Sequence, residues 1–261
     1  MEHIVYFLIS IAATTAGAMT GMGGGVIIKP VLDVLGDYDA ATIGILSCFT
    51  VFAMAIVSII RQMRQKAAIN FKIALPLSLG SVLGGNIGQQ ILSAIIRQLG
   101  SNRMVLAVQN IVLALLVIGV FVYMLYKNRI KMLGATGMIA SGLTGVFLGF
   151  LSSFLGIGGG PINVALLIFV FAFNTKTATV YSIITILFAQ ISKLISVGVA
   201  TGFAVYDLSK IPVMIIGAIL GGFIGSWLNK KLPEKTVEIC FNGVQVIVLG
   251  FCIFNVIRNL Y

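Results

Sequence analysis

Apolar residues run through this chain in long blocks, with most charged residues gathered between them. Residues 42–60, 69–96, 104–126, 177–201, 211–228 and 236–257 are each close to the length that one helical crossing of a bilayer requires, about 20 apolar residues. Blocks 4–35 and 132–173 differ. They are 32 and 42 residues long, or roughly 48 and 63 Å as straight helix, too long for one crossing. Each is interrupted midway by glycines, at Gly21-Met22-Gly23-Gly24-Gly25 and at Gly156-Ile157-Gly158-Gly159-Gly160. These two blocks therefore predict helical hairpins that enter and return. Whether they reach the far surface or turn back halfway stays open, because the crossing parity is the same.

The glycine motif recurs at an offset of 135 residues, and Ser47 and Thr50 match Ser182 and Thr185 at that offset. Later in each half, Gly80-Ser81-Val82-Leu83-Gly84-Gly85 is echoed by Gly217-Ala218-Ile219-Leu220-Gly221-Gly222. Two different motifs in the same order argue for duplication. The expected fold is an all-α polytopic membrane protein of two repeats, 1–126 and 132–261, each a glycine-broken hairpin plus three transmembrane helices. Three crossings are odd in number, so the repeats are expected to be inverted.

Composition supports the bilayer. Fifty-nine per cent of the 261 residues are hydrophobic and 9% charged, against about a quarter charged in soluble domains. This excludes a soluble enzyme or a nucleic-acid binder despite a net charge of +10. The start of the chain lacks the basic region of a signal peptide, so the first block is expected to be retained. With the N-terminus outside, ten basic residues fall in inner loops (Arg61, Arg64, Lys66, Lys127, Arg129, Lys131, Lys176, Lys230, Lys231 and Lys235) and four outside (Arg97, Arg103, Lys210 and Arg258). This positive-inside bias predicts an inner (plasma) membrane protein with both termini extracytoplasmic. The oligomeric state is not legible.

Chemistry is sparse. His3 is the only histidine, and Cys48, Cys240 and Cys252 form no C-x-x-C pair, so no catalytic residue, metal site or cofactor is expected. The glycine loops admit two readings. Broken backbone at membrane depth must be buried in protein or line a wet cavity. As a site, Gly21, Gly23, Gly24 and Gly25, with Gly156, Gly158, Gly159 and Gly160, would offer N–H groups and a helix N-terminus to an anion. As packing, they would only permit a tight hairpin. Lys29 is either an anion partner or paired with Asp33 at i+4; Lys193 lies deep in its span with Gln190 one turn before. Ser47, Thr50, Ser182 and Thr185 either donate to an oxyanion or bond back to their own helices. Among the intramembrane amides, Asn163 is best placed for a ligand. Gly84, Gly85, Gly88, Gly221, Gly222 and Gly225 read as helix contacts.

The duplicated glycine signature, with Pro30 and Leu32 downstream of the first copy, resembles the sulfite exporter TauE/SafE family, and size, halves and spans fit across the chain. In the second half Pro161 follows the glycines directly and Ala165 stands where Pro30 stands in the first, so the half-sites are unequal. The resemblance implies a secondary transporter of small sulfur-containing anions such as sulfite, thiosulfate or organosulfonates. Its expected partners are that anion and the lipid bilayer. Rival readings are an anion channel with the same loops, an intramembrane enzyme using Cys48 or Ser47, and a membrane scaffold.

Overall fold

A computed structural model describes residues 2–65, 69–99, 102–157 and 159–260. Among them the regular elements are ten α-helices and one 3-10 turn. The helices are α1 (Glu2–Thr20), α2 (Gly25–Leu35), α3 (Ala40–Arg64), α4 (Phe71–Leu99), α5 (Asn102–Tyr126), α6 (Met138–Phe154), α7 (Pro161–Phe171), α8 (Thr175–Ala200), α9 (Ile211–Lys231) and α10 (Glu234–Leu260). By length and composition α1, α3, α5, α8, α9 and α10 can each cross a membrane. The chain is an all-α multi-pass membrane protein. The 29-residue α4 is also long enough to cross, although Asn86, Gln89, Gln90 and its glycines make it less apolar. Leu75, Leu79, Leu83, Ile87 and Ile91 still form an exposed stripe along it at four-residue spacing, as a lipid-facing surface requires.

The hairpins are α1 with α2 and α6 with α7. At 11 residues each, α2 and α7 span about 16 Å, roughly half the hydrocarbon thickness. The Tyr6 hydroxyl donates to Asp37 Oδ2 at 2.6 Å, so the chain returns to the level where α1 began. The second hairpin is shorter than its apolar block. Helix α6 begins at Met138 rather than near Met132, and the residues before it form no helix. There the Leu133 and Ala135 amides donate to the Phe169 and Val170 carbonyls at 2.9 and 2.7 Å. Those carbonyls lie in the last turn of α7 and have no partner within the helix. The corresponding turn of α2 is closed differently, by Gly36 at φ 77° and by Arg258, which donates to the Val34 carbonyl. Both Glu2, which takes an ion pair from Lys210 at 2.8 Å, and Arg258 therefore lie at one end of the bundle, here the terminal end. Lys127, Thr175, Glu234 and Glu238 are bonded together at the opposite end.

The larger helix contacts are preserved when the halves are exchanged. Helix α4 lies along α6 as α9 lies along α1; α3 meets α9 as α8 meets α4; α2 meets α10 as α7 meets α5; and α3–α8 and α5–α10 pair across the middle. The caps repeat as well. Asp39 accepts from the Thr42 amide and Asn174 from the Thr177 amide, both at 2.8 Å, and 174 − 39 = 135. Each such cap contributes about 0.5–2 kcal/mol. The apolar core has two clusters, one around α7 with Leu113, Val117 and Val248, the other around α2 with Leu46, Met54 and Met214.

Glycine makes the two long crossings possible. A Cβ at Gly80, Gly84 or Gly88 would run into the Gly142, Val146 or Phe150 carbonyl of α6. On α9, Gly217, Gly221 and Gly225 lie equally close to α1 at Ser10, Thr14 and Thr15. Small residues let backbones approach where apolar burial alone cannot distinguish a neighbouring helix from lipid. Gly84→Val is expected to lower stability by about 1–3 kcal/mol. Gly119→Ala, with open space around it, is expected to leave the thermal midpoint in detergent unchanged or raised.

Candidate functional site

The hairpin tips depend on left-handed backbone. Gly21 and Gly23 have φ of 81° and 73°, and Gly156 and Gly159 have 66° and 115°, values that a side chain disfavours. The first tip is held by hydroxyls and an amide. Ser182 Oγ donates to the Gly21 carbonyl, Thr179 Oγ1 to Thr20 at 3.2 Å and Asn229 Nδ2 to Met19 at 2.6 Å. The second tip is held by an ammonium and an amide. Lys29 Nζ donates to the Leu155 carbonyl at 2.7 Å, and Gln109 Nε2 to Phe154 at 2.9 Å. The tips abut where Gly25 faces the Ile157 carbonyl, with Ser47 Oγ beside them; a Cβ at Gly25 would overlap that carbonyl.

From the terminal end a cavity of about 240 Å³ runs down to the second tip, lined by Lys29, Gly44, Gln89, Arg97, Gln109, Gly156, Lys193 and Tyr206. Lys29 and Lys193 are 3% and 4% exposed. Their ammonium nitrogens lie 3.1 and 3.8 Å from the point where a Cβ on Gly156 would stand. Lys29 also donates to Gln109 Oε1, while Lys193 donates to the Gly44 carbonyl at 3.1 Å. Among the described residues no carboxylate lies within 4.0 Å of either ammonium. Two buried like charges without a carboxylate in contact are costly unless a ligand supplies the opposite charge. A second cavity, about 260 Å³, opens at the opposite end beside Lys176, Lys230, Gln62 and Asn229, the residue that holds the first tip.

The residues singled out in the sequence therefore separate. Lys29, Gly156 and Lys193 meet around one cavity. Gly21, Gly23 and Gly24 pack: Gly21 lies on Thr179, and Gly23 and Gly24 face Gly17 of α1. Thr50 and Thr185 bond to their own helices, at the Leu46 and Tyr181 carbonyls, 2.7 and 2.8 Å away. Ser182 is committed to the first tip. Ser47 Oγ and Asn163 Nδ2 are buried without a hydrogen-bond partner. Asn163 borders a small apolar cleft with Gly159 and Gly160. Gly158 and Lys66 lie outside the described residues. Of the two readings of Lys29, a contact pair with Asp33 does not form: Lys29 donates to Gln109, and Asp33 accepts from Asn110. Gln109, Arg97 and the Gly44 carbonyl were missed. Gln109 gave no signal beyond being one more amide in an apolar span, and Arg97 read as a loop charge.

A model of the sulfite exporter TauE/SafE family matches residues 6–251. A probable membrane transporter protein of Methanocaldococcus jannaschii is 27% identical over 259 residues, covering 92% of this chain and 90% of the relative. The probable membrane transporter protein YunE of Bacillus subtilis is 22% identical over 278 residues, covering 95% and 96%. No solved structure matches.

Gln109 both accepts from Lys29 and ties down the second tip. Gln109→Leu is expected to cost about 1–3 kcal/mol, the penalty for stranding buried polar groups. In a Lys29→Met background the cost is expected to shrink, which a double-mutant cycle of unfolding free energies measures directly.

Proposed function

We propose a function from one premise: the chain belongs to the sulfite exporter TauE/SafE family and is a multi-pass membrane transporter. In this reading it is a secondary transporter of a small sulfur-containing anion, sulfite, thiosulfate or an organosulfonate, in the plasma membrane. The observation that carries the anion is the pair of buried ammonium groups at Gly156 without a carboxylate in contact. A sulfur oxyanion has several acceptor oxygens on one centre. Such a group can accept from Lys29 and Lys193 together, through charge-assisted hydrogen bonds. Gly156 leaves room for it to approach, and Arg97 gives the cavity mouth an attractive potential. The family description supplies the sulfur chemistry.

The abutting tips favour alternating access over an open channel. The cavity from the terminal end stops at the second tip, the opposite cavity at Asn229 beside the first, and Gly25 lies against the Ile157 carbonyl. The exchange symmetry of the helix contacts and the caps 135 residues apart support inverted repeats over 1–126 and 132–261. Rocking the interlocked pair α4 and α6 against the pair α1 and α9 then opens each cavity in turn. The positive-inside bias supports a terminal end outside the cell.

Lys29 has two oxygen acceptors in the protein and Lys193 has one, so Lys193 keeps more N–H capacity for the anion. In a binding screen of purified protein against sulfite, thiosulfate, sulfate and sulfonates, Lys193→Met is expected to weaken binding by about 1–3 kcal/mol and Lys29→Met by less. Gly156→Val is expected to abolish binding, since its side chain would fill the space beside both ammonium groups. Normal affinity in all three variants would remove this site. Reporter fusions after residue 261 and within 127–131 are expected to read opposite sides of the membrane; the same side for both would sink the inverted arrangement.

A further inference from the structure

The anion reading leaves one buried ionisable group unused. Asp33 lies one turn beyond Lys29 on α2 and is 7% exposed. Its Oδ2 accepts from Asn110 Nδ2 at 3.1 Å, whereas Oδ1 is buried without a donor. The same Asn110 amide nitrogen donates to the Leu106 carbonyl at 2.9 Å, which uses its second hydrogen. The charged and titratable groups acting on this carboxylate are few. Arg258 of α10 donates to the backbone carbonyls of Asp33 and Val34 rather than to the carboxylate. Cys252 is the other titratable group on α10 within electrostatic reach. The cation whose field acts on the carboxylate is Lys29, from the same helix, and Lys29 lines the cavity assigned above to the anion.

We propose that Asp33 is a proton site linked through Lys29 to the anion site, so that the protein takes up one proton with each anion it binds. The proposal rests on the anion reading. Without an anion, the positive charge of Lys29 offsets the buried carboxylate. An anion between Lys29 and Lys193 draws on that charge. Asp33 is then a buried carboxylate with one oxygen unbonded and its counter-charge engaged elsewhere, a costly arrangement. A proton from the medium adds to Oδ1 and neutralises it; no other bond forms or breaks. Linkage makes the effect reciprocal, so a proton on Asp33 strengthens anion binding by the same factor as the anion strengthens proton binding. The sign follows: anion affinity falls as pH rises through the titration of Asp33, by at most about tenfold per pH unit for one linked proton. A monoanion and its proton then cross as a neutral pair, which suits passage through a low-dielectric protein interior.

Calorimetry of thiosulfate binding to the purified protein, in buffers of different ionisation enthalpy, tests this. Thiosulfate does not itself titrate near neutral pH. The expected result is uptake of about one proton per anion in the wild type and none in Asp33→Asn. That variant is expected to keep thiosulfate binding and anion-for-anion exchange in proteoliposomes while losing accumulation driven by a pH gradient. Infrared difference spectra of the wild type give a readout that needs no variant: a protonated-carboxyl band rises on thiosulfate addition if Asp33 takes the proton, and none appears if a lysine does. Binding without proton uptake, uptake that persists in Asp33→Asn, or a missing carboxyl band overturns the proton site and leaves the anion site standing. Failure of the wild type to bind thiosulfate, methanesulfonate or sulfite overturns the anion reading and this inference with it.

Discussion

At membrane depth an ammonium must find oxygen acceptors or an opposite charge, and Lys29 and Lys193 meet that demand largely at backbone carbonyls. Lys29 reaches the Leu155 carbonyl, in the turn that ends the first arm of the second hairpin. Lys193 reaches the Gly44 carbonyl, near the start of α3. Neither acceptor cancels a charge. The positive potential left around Gly156 therefore sits at the bottom of a cavity, and the organisation of the bundle follows from keeping it there.

Glycine carries that organisation in two ways. At the hairpin tips it provides left-handed backbone and lets the tips touch, so that Gly25 can lie against the Ile157 carbonyl. Along α4 and α9 it permits close contact with α6 and α1, which fixes each hairpin to the long helix of the other half. The first use determines where the cavity stops. The second determines which parts move together, because tightly interlocked helices behave as rigid units. The functional asymmetry between the halves comes from what holds each tip. Hydroxyls and Asn229 bond the first, while Lys29 and Gln109 bond the second. Closely similar loops thus differ in charge.

The same contrast explains why Asp33 matters. Carboxylates are rare in this chain, and most lie near the bundle ends. Asp33 is instead buried on the short helix α2, four residues from one of the two cavity lysines. Any change in the charge facing Lys29 reaches it without a conformational pathway, through space in a poorly screened interior. In the proposed mechanism an anion and a proton thus sense one another across a single helical turn.

Much of the architecture was legible along the chain. Apolar block length marked the long helices and the glycine breaks marked the hairpin tips. These are properties of local segments, set by the span of a helix and the conformational freedom of one residue type. The cap pair at Asp39 and Asn174, 135 residues apart, was readable by the same means. The site was less legible. Lys29 invited pairing with Asp33, because helical spacing identifies neighbours on the same helix. The folded chain instead gives Lys29 to Gln109, 80 residues away, and to Leu155, 126 residues away. Thr50 and Thr185 matched in sequence but turn back onto their own helices, while Gly156 among the tip glycines faces both ammonium groups. Sequence spacing determined which residues lie at membrane depth; only the packing of ten helices decided which of them share a cavity, because those contacts join segments whose separation along the chain carries no record of their distance in space.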